Sequence, residues 1–207
     1  MNDNNYLKKL NKLDSNVSNI KITNLKITDI LDMDRFKSLR NLNCNYNNIK
    51  KIINLSETII FLYCSNNKVI DLLNLPESIE YLDCSECEIL SLDMLPIRLK
   101  FLNCSKNQIT ILENLPFNLE KLYCPHNRIS NLDWLPNCLT DLDCSYNNLI
   151  NLDNLPSSII NLNCSGNSIE IMANLPKFIK TIEYYGEIVN KSEQLKVIAP
   201  LDETAPL

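Results

Sequence analysis

From residue 39 onward the apolar positions recur with a period of twenty residues. One column runs Leu39, Ile59, Ile79, Leu99, Leu119, Leu139, Ile159 and Ile179, and a second, three places on, runs Leu42, Leu62, Leu82, Leu102, Leu122, Leu142, Leu162 and Ile182. Two places further the column is cysteine: Cys44, Cys64, Cys84, Cys104, Cys124, Cys144 and Cys164. Three more apolar columns begin at Ile49, Ile52 and Leu55, and proline follows the last of them at Pro76, Pro96, Pro116, Pro136, Pro156 and Pro176. Numbered from the first leucine, the unit reads L-x-x-L-x-C-S-x-N-x-I-x-x-L-x-N-L-P-x-x.

Twenty residues with six apolar anchors cannot bury their own hydrophobic face, so each unit has to stack on its neighbours to build a continuous core. The L-x-C alternation at positions 4 to 6 has the period of two expected of a short, half-buried strand. Stacked units pair these strands in parallel, and seven or eight of them at about 4.8 Å spacing give a curved sheet on the order of 35 Å long. The return limb is short and carries in-register prolines, which fix φ and remove a donor. An extended or polyproline-II limb is therefore expected on the convex side, not a helix.

The unit resembles the leucine-rich-repeat signature L-x-x-L-x-L-x-x-N-x-L, as in LTDLDCSYNNL at 139–149 and LKFLNCSKNQI at 99–109. The repeat length and the L-P linkage are similar to the short class of that family found in bacterial effectors and in large viruses of protists, which usually has valine or leucine in place of cysteine. The resemblance implies a solenoid with a parallel sheet on its concave side. It also implies a structural role for the asparagine column Asn47, Asn67, Asn107, Asn127, Asn147 and Asn167, whose amides form a ladder between units. A buried amide must be satisfied. Cys87 interrupts this column, and one rung is expected to be lost there.

The cysteine column falls on the same strand face as the core leucines, so its sulfurs are expected to be small, buried core groups. In-register parallel geometry aims their Cβ atoms alike, which disfavours disulfides. The C-x-x-C of Cys84 and Cys87 has no second pair or nearby histidine to complete a zinc site. Cys138, on the return limb, is the expected reactive thiol.

Function is then expected at strand positions 3 and 5, which point away from the core and vary. They bring Phe61, Tyr63, Tyr81, Phe101 and Tyr123 to one sheet face, flanked by Asp83, Lys121, Asp141 and Asp143. Aromatic anchors ringed by polar groups have the composition of a protein interface. Position 8, with Tyr46, Glu86, Lys106, His126 and Tyr146, extends the rim. Trp134, in a column otherwise rich in asparagine, is a further exposed anchor. The acidic series Asp93, Glu113, Asp133 and Asp153 on the outer limb reads as a solvated face, because calcium ligands converge instead of lining up.

Composition narrows the field. The chain has 207 residues, is 45% hydrophobic and carries a net charge of -5, with no basic stripe to suit a phosphate backbone. Its 2 glycines cannot build a phosphate-cradling loop. With His126 the sole histidine and Cys124 aimed at the core, no nucleophile–base pair is assembled, and neither enzyme activity nor a cofactor is expected. Nine cysteines, an odd number, fit a reducing, cytoplasmic setting better than a disulfide framework. No secretory leader and no membrane-spanning run is seen in the sequence.

The expected organisation is an N-terminal cap with a degenerate repeat over 1–38, about seven repeats over 39–182, and a closing cap with a tail over 183–207. The expected function is a non-enzymatic module that binds a protein partner, with no nucleic acid and no membrane involved. Two alternatives stand beside it: an adaptor or effector that brings partners to a separate enzyme, and a structural or redox role for the cysteine ladder. With roughly 25 residues after the last unit, a catalytic domain is not expected there.

Overall fold

The computed structural model describes residues 4–169, 175–184 and 187–190. One helix, α1 (Asn4–Asn11), precedes a series of short strands. These are β1 (Asn19–Lys21), β2 (Thr28–Asp32), β3 (Asn41–Asn43), β4 (Asn48–Ile53), β5 (Phe61–Tyr63), β6 (Tyr81–Asp83), β7 (Phe101–Asn103), β8 (Lys121–Tyr123), β9 (Asp141–Asp143), β10 (Asn161–Asn163), β11 (Thr181–Tyr184) and β12 (Glu187–Asn190).

From β3 to β10 each three-residue strand of the main sheet holds positions 3 to 5 of one unit, with a buried leucine at its centre. Pairing is parallel and in register by one repeat, as in Leu62 with Leu82 and Leu82 with Leu102. Strands this short follow from the unit itself, which must leave the sheet and return within twenty residues.

The first turn of the solenoid is longer. Ile20 of β1 pairs with Leu42 of β3, so β1 joins the sheet in parallel although the sequence period fails before residue 39. The convex limbs of this turn and the next form a separate parallel pair, β2 with β4, and among the described residues no later limb forms a second such strand pair. At the other end β12 runs antiparallel to β11, reversing the direction of the sheet. Much of the expected C-terminal cap, including the tail from residue 200, lies outside the described residues.

The core lies between the sheet and the return limb. The leucine, cysteine and isoleucine columns are buried throughout, from Leu42, Cys44 and Ile49 to Leu162, Cys164 and Ile169. The thiols also reach the neighbouring strand: Cys44 Sγ donates to Tyr63 O at 3.4 Å, Cys124 Sγ to Asp143 O at 3.3 Å and Cys144 Sγ to Asn163 O at 3.4 Å. A short side chain with a weak donor fills the layer and adds a bond that valine lacks. Burial pushes these thiols up, to about 12 for Cys104 and Cys164.

The asparagines satisfy backbone groups of two units at once. Asn107 Nδ2 donates to Cys84 O and to its own unit's Cys104 O, both at 3.0 Å, while its Oδ1 accepts from Ile89 N at 3.0 Å. Asn67, Asn127, Asn147 and Asn167 repeat this pattern, and Asn47 ties the first turn to the second through Ile22 O and Ile27 N. The rung at Cys87 is weakened instead of lost. Its sulfur donates to Cys64 O at 3.5 Å and receives the Asn67 and Val69 amides; burial outweighs those bonds and raises the thiol to about 11.

The return limb is non-helical and is built from two tight turns per unit. In the second, the carbonyl of the buried proline accepts from the amide three residues on, as in Leu99 N to Pro96 O at 3.1 Å. The first places position 16 in left-handed backbone, at Asn54, Asn74, Met94, Asn114, Trp134 and Asn154. Asparagine tolerates that conformation better than other side chains do. It also reaches the acidic residue of the preceding unit: Asn114 Nδ2 to Asp93 Oδ1 at 3.3 Å and Asn154 Nδ2 to Asp133 Oδ1 at 2.7 Å. Asp93 and Asp133 are thus tied into the convex surface.

The N-terminal end is closed by α1, whose Leu10 is buried against the core. Arg35 holds the segment in place by donating to Leu10 O at 3.4 Å and Leu13 O at 2.7 Å, which satisfies carbonyls at and beyond the helix C-terminus.

Candidate partner-binding surface

Alternation along each three-residue strand sends position 4 into the core and positions 3 and 5 onto the concave face. Four rings of that face form one continuous row across adjacent strands. Phe61 stacks on Tyr81 with centroids 4.8 Å apart, Tyr81 on Phe101 at 6.0 Å, and Phe101 meets Tyr123 edge-on at 5.3 Å. The row steps from position 3 to position 5 at Tyr123, because Lys121 holds position 3 of that strand. Tyr81 is exposed and the other three are half-buried by one another. Tyr63 lies half-buried on the same face but enters no ring pair among the described residues.

The polar residues expected to flank the row are partly committed to the fold. Asp83 Oδ1 accepts from Ser85 N at 3.1 Å and Oγ at 2.7 Å, and Asp143 Oδ1 holds Ser145 in the same way at 3.0 and 2.7 Å. Asn103 and Asn163 do likewise for Ser105 and Ser165. Position 5 is therefore a turn-capping position at the strand exit as well as a surface one. Where tyrosine takes it at Tyr123, position 7 is Pro125, which has no amide to cap.

Asp141 is more fully engaged: it accepts from Thr140 Oγ1 at 2.7 Å and Asn161 Nδ2 at 2.9 Å, and Lys121 Nζ stands 3.7 Å away. Burial pushes its carboxyl up, but these bonds and the lysine charge outweigh burial and hold it below the ordinary value.

Beyond the aromatic row the concave face deepens into a groove of about 410 Å³, lined by Tyr123, Asp141, Asp143, Asn161, Asn163 and Glu183 among others. Of these lining residues, Asn161, Asn163 and Glu183 were not singled out by sequence reasoning. The asparagines sit in the position 3 and 5 columns but carry neither charge nor ring, and Glu183 is at position 5 of the last unit, where the pattern breaks off with Tyr184 in place of cysteine. The register of β11 on β10, with Asn163 beside Glu183, keeps that carboxylate in line past the point where the cysteine and asparagine columns end.

Position 8 forms the rim. Every residue there from Tyr46 to Tyr146 has left-handed backbone, as does Gly166. Lys106 pairs with Glu86 at 2.9 Å, and the His126 and Tyr146 rings stack at 4.4 Å and 7°. Tyr146 in turn lies over Gly166, where a Cβ would come within 2.5 Å of the ring.

On the convex side Trp134 and Met94 are 72% and 73% exposed, and Phe117 is exposed beside them in the repeat. Cys138 is exposed and the seven column cysteines are buried. Among the described residues no cluster of histidine, cysteine and carboxylate groups is arranged to hold a metal, and no helix is long and apolar enough to cross a membrane.

Solved structures place this architecture. The leucine-rich effector YopM from Yersinia pestis superposes with a TM-score of 0.75 at 26% identity, over 83% of this chain and 49% of its own. A Shigella effector leucine-rich-repeat domain superposes at 0.66 with 22% identity, over 88% of this chain and 86% of its own. The functional domain of InlJ from Listeria monocytogenes, which includes a cysteine ladder, superposes at 0.52 with 25% identity, over 80% of this chain and 48% of its own. The chain thus spans about half the length of the YopM structure it matches. No family model and no curated protein sequence matches it.

Proposed function

This chain is a leucine-rich-repeat solenoid of the short, effector-like type, and from that premise we propose that it is a non-enzymatic module that binds a protein partner on its concave sheet. The observation that carries the reading is the unbroken row Phe61, Tyr81, Phe101 and Tyr123 on an open sheet face. Large rings held in one orientation by their neighbours present apolar area at little further entropic cost, which is what an interface anchor requires. Stacking alone does not call for a row left open to solvent, since cross-strand pairs stabilise a sheet equally well when covered. The uniform column residues hold the fold, and the variable positions of this face are free to specify a ligand. The free thiols suit a reducing compartment as the place where it works.

The test is capture of partners from the native cell with the wild-type chain, Tyr81→Glu and Phe101→Glu. The expected result is loss of the same captured proteins from both variants while their circular dichroism and melting transitions remain those of folded protein. Folded variants that retain every partner would refute the concave reading.

A further inference from the structure

We propose, resting on the reading of the concave face as a protein-binding surface, that its C-terminal groove recognises an arginine side chain of a partner segment whose apolar side chain lies on the aromatic row. The groove continues the row without a break. Tyr123, Asp143, Asn163 and Glu183 are in-register neighbours at position 5 of β8 to β11.

Asp143 is held rigid by Ser145 through Oδ1, and its Oδ2 has no hydrogen bond among the described residues. The Glu183 side chain likewise has no partner among them. Asp141, Asp143 and Glu183 line the groove, and among the described residues no lysine or arginine does. Lys121, on β8, pairs with Asp141 at 3.7 Å, which leaves Asp143 and Glu183 as the carboxylates of the groove without a cation among the described residues. A cationic guest therefore meets two uncompensated carboxylates beside a tyrosine ring, the setting in which a guanidinium gains both an ion pair and a ring contact.

Geometry selects the guest. Asp143 and Glu183 stand two strands apart, roughly 10 Å at the usual strand spacing, too far to share one small hard cation at about 2.4 Å. A planar guanidinium on a long stem can lie along Tyr123 and present its N–H fork to Asp143 within a groove of about 410 Å³. Tyr81 and Asp143 are three strands apart, roughly 14 Å, which an extended segment crossing the strands spans in about four residues. The motif expected in the partner is an aromatic or large aliphatic residue with an arginine about four residues away.

The experiment is selection from a displayed library of random twelve-residue peptides on the full chain, on the double variant Asp143→Asn/Glu183→Gln, and on Tyr81→Ala. Asparagine at 143 keeps the turn, because Asn103 and Asn163 hold Ser105 and Ser165 in this same chain. Wild type is expected to enrich an apolar residue and an arginine at that spacing. The double variant should keep the apolar preference and lose the arginine. A synthetic peptide of the selected sequence should bind the double variant at least about tenfold more weakly, and bind wild type more weakly as salt rises.

Enrichment of apolar residues without arginine, or arginine enrichment that survives the double substitution, overturns the groove assignment and leaves the broader reading of the concave face standing. No enrichment at all, or enrichment indifferent to Tyr81→Ala as well, overturns both.

Discussion

At the scale of single residues, the asparagine column does what no apolar residue in its place can do. Removing the Asn107 side chain leaves Ile89 N and Cys84 O without their partner inside the core and takes one of two amide bonds from Cys104 O, which keeps Asn127 Nδ2. Asn107→Ala is expected to cost about 3 kcal/mol, several backbone groups losing their bonds at once. The converse applies where the chain already departs from the pattern. Cys87→Asn replaces long sulfur contacts with amide bonds and is expected to stabilise by about 1 kcal/mol. Urea unfolding of both variants checks the pair, and a Cys87→Asn protein no more stable than wild type would show that the sulfur rung is already sufficient. The column and its interruption are legible in the sequence; that the thiol still bridges Cys64 O and receives two amides is not, because it depends on how closely adjacent units approach.

At the scale of the element, the two turns of each unit impose backbone conformations that the hydrophobic pattern does not announce. Position 16 is left-handed in six units, and two of them place Met94 and Trp134 there at φ of 63° and 71°. Large side chains are strained in that region, so Trp134→Asn and Met94→Asn are each expected to stabilise by about 0.5–1 kcal/mol. Gly166→Ala is expected to destabilise, since its φ is 65° and the new methyl meets the Tyr146 ring. Thermal melting of the three variants tests the account; a Trp134→Asn protein that melts lower would mean that the exposed ring contributes packing. The proline column does predict a non-helical limb. The left-handed residues at position 8 are hidden because the side chains there range from glycine to tyrosine, whereas at position 16 the recurring asparagine is a trace of that conformation, broken at Met94 and Trp134.

At the scale of the whole molecule, seven buried thiols in one column tie stability to pH. Burial raises each of them above the ordinary cysteine value, so the folded chain keeps its protons where the unfolded chain releases them. The folded state binds more protons in that range, and stability therefore falls as pH rises. The loss begins near the unfolded value of about 8.5 and reaches about 1.4 kcal/mol per thiol one pH unit higher in the simple linkage relation. Summed over the column this is comparable to the total stability of an ordinary domain. Cooperative unfolding is expected between about pH 9 and 10.5, moving to higher pH when Cys84, Cys104 and Cys124 are replaced by valine. Circular dichroism across that range decides it, and an unchanged alkaline midpoint in the triple variant would remove the column as the cause.

The sequence by itself determined the solenoid, its handful of core columns and the face on which variable residues gather, because a strict twenty-residue period leaves a chain only one way to bury its leucines. The position 3 and 5 aromatics follow from that period and the alternation of a strand. Tertiary structure alone decided how those residues are used. The rings form a single row, one oxygen of Asp83 and of Asp143 is held by the serine two places on, and Glu183 from beyond the last regular repeat completes a groove. Each of these depends on distances between stacked units and on turn geometry, which the order of residues constrains only through the folded backbone.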